Sequence, residues 1–212
     1  MRCKNATEAF EITFDDIMIN GSTKEGTKYL RNVSFYIDKP TDRIITTPWR
    51  KFSKEYAEIE WDWYLSEDRS IKEIGKHASI WNKIADENGL VQSNYGWQWN
   101  RNNQLDKIIN ELDASPESRR AYLSIYDGKE IYLYDKDVPC TLAIGFTVEQ
   151  EKLCMQVFMR SNDLVYGFCN DQYCFSKLQE LVAFRLKRQV GWYYHLAADM
   201  HIYEKHWGMK ER

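Results

Sequence analysis

The 212-residue chain has no apolar run approaching the roughly 18–20 residues that cross a bilayer, so no spanning helix is expected. Four prolines and ten glycines are too few for a hinge rich in those residues. Neither a repeat nor a low-complexity tract breaks the chain, and one domain over 1–212 is expected. The five cysteines form no CxxC pair, and their odd number argues against a disulfide framework. The opening Met1-Arg2-Cys3-Lys4-Asn5 has no apolar run behind it, so a cytoplasmic protein without a secretory signal is expected. Neither GxGxxG nor GxxxxGK[ST] occurs, which removes the dinucleotide and P-loop readings. His195, His201 and His206 match no compact zinc spacing, so no metal is expected. Positive charge is also short. Lys and Arg total 29 against 32 Asp and Glu, a net charge of -3. General nucleic-acid binding needs a basic surface and is not expected, although a small basic pocket for one phosphate is compatible with this balance.

What is abundant is hydrophobic and aromatic. Hydrophobic residues at 43% beside 29% charged residues describe an ordinary folded protein. Eight tryptophans suit either a ring-rich core and subunit interface or stacking surfaces for planar ligands. The opening third reads as strands and turns, with a strand over 28–37. Helices are expected over 53–65, with Ser53 as N-cap, over 70–87, stopped by Gly89, and over 101–113. Asp127-Gly128 predicts a hairpin between 121–126 and 129–134. An antiparallel pair over 141–148 and 152–159, a long helix over 172–189 and a final strand over 192–203 complete an α+β pattern without βαβ rhythm.

Several residues have the chemistry of a site, each beside a plainer reading. Cys140, at the entry to a strand, is either a small buried hydrophobe or a nucleophile. The return strand would bring Arg160 to it, and a guanidinium stabilises a thiolate. Arg119-Arg120 is either a solvated pair or a phosphate clamp. His201 and Tyr203 share a strand face, suited to a sugar hydroxyl or to satisfied core polarity. Glu60 stands among apolar neighbours in a helix, where most glutamates face water.

In order along the chain, EWDWYLSEDRS (60–70), IWNKIADENG (80–89), NYGWQW (94–99), PESRRAYLS (116–124), PCT (139–141), MRSNDLVYG (159–167) and DMHIYEKH (199–206) resemble the thymidylate synthase and pyrimidine hydroxymethylase family. The resemblance implies a mixed twisted sheet flanked by helices, with sheets stacked across a homodimer. It implies a pyrimidine nucleoside monophosphate substrate and 5,10-methylenetetrahydrofolate as cosubstrate. Cys140 would add to pyrimidine C6, Glu60 would move protons through ordered water, and Tyr95 would stand near the proton abstraction. Trp81 would line the folate site and Asp163 would bind the pterin. Arg160 and Ser161 would hold phosphate from the same subunit, and Arg119 and Arg120 from the other. His201 and Tyr203 would hold the ribose 3′-hydroxyl. The N-terminal match is poor: Lys24 and Lys28 compete for one phosphate-contacting position, with Lys28 the expected ligand, and Arg50 stands where synthases have a folate-contacting lysine.

Three departures from the synthases point to cytidylate hydroxymethylation. Asp171 stands where synthases carry the asparagine that reads uracil, and a carboxylate facing a uracil carbonyl costs about 1–3 kcal/mol. Asp171 would therefore bind the base as well as act in catalysis, with Asn170 its neighbour in any misregister. Thr141 stands where many synthases have histidine. The chain also ends soon after the HIY segment, where synthases continue into a lid, and a site open to water favours hydration over reduction. A short divergent thymidylate synthase or deoxyuridylate hydroxymethylase is one alternative, and an inactive nucleotide- or RNA-binding relative another. Deoxyribose is favoured over ribose because bacteriophages use such enzymes to modify their DNA, again by resemblance.

Overall fold

The computed structural model describes residues 1–129, 131, 134 and 136–211. Its first long element departs from expectation. Ala6–Asn20 is a helix, α1, not strands and turns. Asn5 caps it, accepting from the Glu8 amide at 3.0 Å. Ala6, Ala9, Phe10, Thr13, Phe14 and Ile17 are its buried residues, the three-to-four spacing of one helical face. Phe10, Phe14 and Ile17 lie on this buried face, whereas Ile12 and Ile19 are exposed.

Eight strands form one mixed sheet in the order β1-β3-β8-β6-β5-β4, with β2 on β3 and β7 on β8. These are β1 (Arg2–Cys3), β2 (Ser22–Lys24), β3 (Thr27–Ile37), β4 (Tyr122–Ser124), β5 (Thr141–Glu149), β6 (Lys152–Met159), β7 (Asn162–Asp163) and β8 (Gln189–Tyr203). The expected strands over 28–37, 141–148, 152–159 and 192–203 are all present. β5 and β6 are antiparallel neighbours, whereas β6 and β8 are parallel, so the chain crosses between them through a helix. That helix, α6, covers Cys169–Arg185, a few residues earlier than expected. Gln179 ties it to the sheet, its Nε2 donating to the carbonyls of Leu153 (2.9 Å) and Trp192 (3.0 Å).

The middle of the chain differs most. α2 (Lys54–Leu65) is present, capped by Ser53 as expected. The helix expected over 70–87 is instead a 3-10 turn at Ile74–Lys76 and a short α3 (Ser79–Ile84). A bridge between Ser70 and Leu90 draws its two ends together and prevents one continuous rod. α4 (Tyr95–Asn100) and α5 (Gln104–Ala114) follow, with left-handed Asn102 and Asn103 between them. The first arm of the hairpin expected at Asp127-Gly128 has another strand as its neighbour. β4 pairs with β5, and the Ile131 amide closes a turn on the Asp127 carbonyl at 2.8 Å. Much of the proposed second arm, 129–134, lies outside the described residues.

On β8, Gly191, Tyr193, His195 and Ala197 are buried, and then the phase slips so that Met200 and Ile202 are buried. Left-handed Asn32 lies in β3 at this level, between Arg31 opposite Asp199 and Val33 opposite Ala197. On the outer face, Tyr122, Phe158, Tyr194, Tyr36 and Trp192 form a run of ring contacts with centroids 4.8–6.4 Å apart. Among the described residues no helix is long and apolar enough to cross a membrane.

Candidate active site

Cys140 immediately precedes β5, and Thr141 pairs with Met159 at the end of β6. The next residue on each strand is therefore Cys140 and Arg160, and the Arg160 amide donates to the Cys140 carbonyl at 2.8 Å. The hairpin brings the two together as the sequence predicted. The Arg160 guanidinium is braced by the carbonyls of Pro139 (Nε, 3.1 Å) and Val138 (Nη2, 2.7 Å). One electrostatic expectation is reversed. Burial pushes the Cys140 thiol up to about 11, and the Arg160 charge only partly opposes it, while the carboxyls of Asp171 and Asp137 add to the rise. The resting sulfur is a protonated thiol.

Tyr95 opens α4, where Asn94 caps the helix by accepting from the Trp97 amide at 2.9 Å. Its hydroxyl accepts from the Thr141 amide at 3.3 Å, which fixes the ring beside the residue following Cys140. The approach requires Gly96, because a Cβ there would lie 1.5 Å from the Tyr64 carbonyl oxygen. Burial raises the Tyr95 hydroxyl well above its ordinary value, helped by Asp171 and Cys140, so it stays protonated.

Glu60 faces inward from α2 and is 5% exposed. Its Oε1 accepts from the Tyr64 hydroxyl at 3.1 Å, while its buried Oε2 has no partner among the described residues. Burial, then the Asp171 carboxyl, push it up to about 8. Asp171, in the first turn of α6, is pushed up to about 7 by burial and by Asp163, against the hydrogen bond from Asn162. The two acids therefore titrate near neutrality within each other's field. Asp171, not its neighbour Asn170, is the residue that bonds Asn162 and perturbs Glu60, Cys140 and Tyr95.

Asp163 caps a π-helical turn, Leu164–Phe168, by accepting from the Val165 amide at 2.9 Å. It pairs across the sheet with His201, whose ring meets that of Tyr203 edge-on at 5.2 Å. Burial raises the Asp163 carboxyl, and His201 and Lys205 draw it back. Trp81 meets the Trp63 ring at 4.8 Å and donates its Nε1–H to the Tyr56 hydroxyl at 2.9 Å. Ser161 is half-buried between β6 and β7.

Other expected residues stand apart from this group in the same chain. Arg119 and Arg120 are exposed, and Arg120 forks onto Glu111 through Nε (3.1 Å) and Nη2 (2.8 Å). The Lys28 ammonium donates to the Met18 carbonyl at 3.0 Å, and Lys24 is exposed beside Glu25. Buried Arg50 donates to the Val165 carbonyl at 2.6 Å, and exposed Lys51 is the freer cation of that loop. A cleft of about 610 Å³ opens there, lined among others by Lys51, Tyr166, Lys205 and Met209, and Cys140 is not on its wall.

Three residues went unseen as site components. Buried Asn162, His195 and Tyr193 form a hydrogen-bonded line that ends on Asp171. Asn162 lies inside the quoted MRSNDLVYG segment, and Tyr193 and His195 alternate on one strand, but nothing local says that they meet. His195 spends both ring nitrogens here, and burial lowers it to about 3. Among the described residues, no three His, Cys, Asp or Glu side chains converge on a metal site.

Sequence comparisons agree with this arrangement. The family model described as thymidylate synthase matches residues 8–211. Deoxycytidylate 5-hydroxymethyltransferase of Enterobacteria phage T4 is 34% identical over 167 residues, covering 72% of this chain and 68% of that protein. Deoxyuridylate hydroxymethyltransferase of Delftia phage PhiW-14 is 30% identical over 192 residues, 84% of this chain and 54% of that protein. Thymidylate synthase of Mycoplasma genitalium is 28% identical over 178 residues, 82% of this chain and 59% of that protein.

Proposed function

The chain belongs to the thymidylate synthase family, and from that membership we propose that it converts deoxycytidylate, methylenetetrahydrofolate and water into 5-hydroxymethyl-deoxycytidylate and tetrahydrofolate. The broader statement, that it is a folate-dependent pyrimidine one-carbon transferase, rests on the family and on its hydroxymethyltransferase relatives. The cytidylate choice rests on one observation: a carboxyl at position 171, held near neutrality beside Cys140 and Glu60. Cytosine offers an amine donor and a ring-nitrogen acceptor. A carboxyl accepts from the first and shares a proton with the second.

The residues present fit a folate and its nucleotide. The unpartnered buried Oε2 of Glu60 calls for a water or a ligand group, and Trp81 beside Trp63 offers a planar wall. Trp81 would line the pterin, and Asp163 would accept from its N–H groups. When bound, 5,10-methylenetetrahydrofolate supplies one carbon at the oxidation level of formaldehyde.

The Cys140 thiol gives its proton to water as its sulfur adds to pyrimidine C6, which turns C5 into a carbon nucleophile. Arg160 favours the sulfur anion as it forms. After C5 takes the one-carbon unit, its proton leaves toward water held by the Tyr95 hydroxyl as the bond from the new carbon to the folate nitrogen breaks, which releases tetrahydrofolate and leaves that carbon open to water. Glu60 positions the water whose oxygen becomes the hydroxymethyl group, and its raised carboxyl suits proton transfer near neutral pH. Elimination of the Cys140 sulfur from C6 then restores the aromatic ring. Arg160 and Ser161 hold phosphate, joined by Arg119 and Arg120 of the partner subunit. His201 and Tyr203 hold the 3′-hydroxyl. A homodimer packed through the outer aromatic face of the sheet would supply those arginines.

Parallel incubations of dCMP and dUMP with methylenetetrahydrofolate, read by mass spectrometry of the nucleotide, test the proposal. It expects dCMP to gain one CH2O unit. Addition of CH2O to dUMP alone would make the enzyme a uridylate hydroxymethylase, and addition of CH2 to dUMP a thymidylate synthase. No product from either nucleotide would favour a binding protein.

A further inference from the structure

Tyr193, His195, Asn162 and Asp171 are joined end to end. The Tyr193 hydroxyl and His195 Nδ1 are 2.9 Å apart, His195 Nε2 and Asn162 Oδ1 are 3.1 Å apart, and Asn162 Nδ2 lies 2.8 Å from Asp171 Oδ2. A neutral imidazole carries one N–H, so the line has one of two polarities. In the first, Tyr193 donates to His195, His195 to Asn162 and the Asn162 amide to Asp171. The tyrosine hydroxyl hydrogen and the imidazole N–H hydrogen then both have an acceptor. In the second, each bond is reversed, and the Tyr193 hydroxyl hydrogen is left without an acceptor among the described residues, on a side chain with no solvent exposure. Unmade buried bonds are costly, so the first polarity holds. Nearly complete burial of His195, between the rings of Phe35, Phe168 and Tyr193, keeps it uncharged.

We propose that Asn162, backed by His195 and Tyr193, is a specificity-determining positioning residue, which keeps Asp171 Oδ2 as an acceptor and confines that carboxyl's proton to Oδ1. The inference rests on the cytidylate reading and extends it. An unrestrained carboxylic acid can answer either base. With the oxygen beside the exocyclic group unprotonated, it accepts the cytosine amine. With that same oxygen protonated, it donates to the uracil carbonyl. The amide donated by Asn162 disfavours the second state at Oδ2, and Oδ1 takes no hydrogen bond among the described residues. Selectivity against uridylate is thus divided between Asp171 and a residue behind it. Gly167 preserves the arrangement, because a Cβ there would lie 2.8 Å from Asn162 Nδ2 and 3.5 Å from Asp171 Oδ2.

Two variants interrupt the line at different depths. Asn162→Ala removes the donor. His195→Phe leaves the donor in place, keeps the aromatic shape of its ring nest and frees the amide of Asn162 to turn over. Calorimetric Kd values for dCMP and dUMP, taken across pH on the unaltered protein and on each variant, need no folate. Thermal unfolding identifies the variants that remain folded. Both are expected to reduce the dCMP-over-dUMP preference by about tenfold, within what one bidentate base contact contributes. The pH at which dCMP binding falls should also move upward in Asn162→Ala, since the lost amide was favouring the ionised carboxyl. A merely structural role would weaken both nucleotides equally and leave that pH unchanged. If either variant is folded and keeps the full preference and the original profile, the inference is overturned while the cytidylate reading stands. If the unaltered protein shows no preference for dCMP, the cytidylate reading fails first, and the inference with it.

Discussion

Glu60→Gln should make the protein more stable and less active, and the gain in stability should depend on pH. The Glu60 carboxyl stands at about 8 in the fold against an ordinary 4.5. Its folded value is raised, so between those two pH values the folded protein holds a proton that the unfolded chain has released. Stability from this group is therefore fully present below 4.5 and is lost as pH rises through 8. At 1.36 kcal/mol per pH unit the loss reaches about 4–5 kcal/mol near pH 8. The substitution removes that charge together with its burial cost and its repulsion with Asp171, which itself titrates near 7, so it should recover most of that loss. The amide keeps the shape of the carboxyl and can accept from Tyr64 as Oε1 does now. Urea unfolding near pH 8 should show that gain, and near pH 5 almost none. Turnover should fall by about two to four orders of magnitude with the loss of a proton-transfer group. An equal stability change at both pH values, or a larger gain in acid, would refute the reasoning.

Alkylation of Cys140 by iodoacetamide, followed by peptide mass spectrometry, should be slow at neutral pH. A thiol at about 11 rather than 9.0 exposes about a hundredfold less thiolate, and its rate should climb until that pH; a plateau near neutrality would contradict the buried-thiol description. Asp171→Asn should lower kcat/KM for dCMP and raise it for dUMP, changing their ratio by at least about tenfold. Unchanged selectivity would remove Asp171 as the base reader. Neither Arg120→Ala nor Cys140→Ser should be active alone, but their mixture should recover activity if arginines cross between subunits. No recovery at any mixing ratio would show that each chain works with its own residues.

The sequence displayed the Cys140–Arg160 hairpin well because its logic is local. Segments 141–148 and 152–159 flank a short polar turn, and their antiparallel register sets Cys140 against Arg160. Ser53 and the helix behind it were equally legible, since a cap and its first turn are neighbours in the chain. α1 was readable in principle from the spacing of Ala6, Phe10, Phe14 and Ile17 on one helical face. The rod expected over 70–87 failed because the Ser70–Leu90 bridge overrode helical periodicity. The contacts of Asn162 with His195 and Asp171 were hidden for a different reason. They join β7, β8 and α6, and no pattern within one element announces such a meeting.

β8 gives its two faces unlike tasks. Trp192 and Tyr194 project toward the outer rings, while Tyr193 and His195, interleaved with them, project toward the carboxyl at position 171. Four consecutive residues thus share one stretch of backbone between a wall and a lock. Whatever leans on the wall also sets how firmly the lock is seated, because a strand cannot tilt one face without tilting the other. Surface changes at Trp192 or Tyr194 should therefore be heard at the far side of the sheet as altered discrimination between nucleotides, not only as weaker assembly.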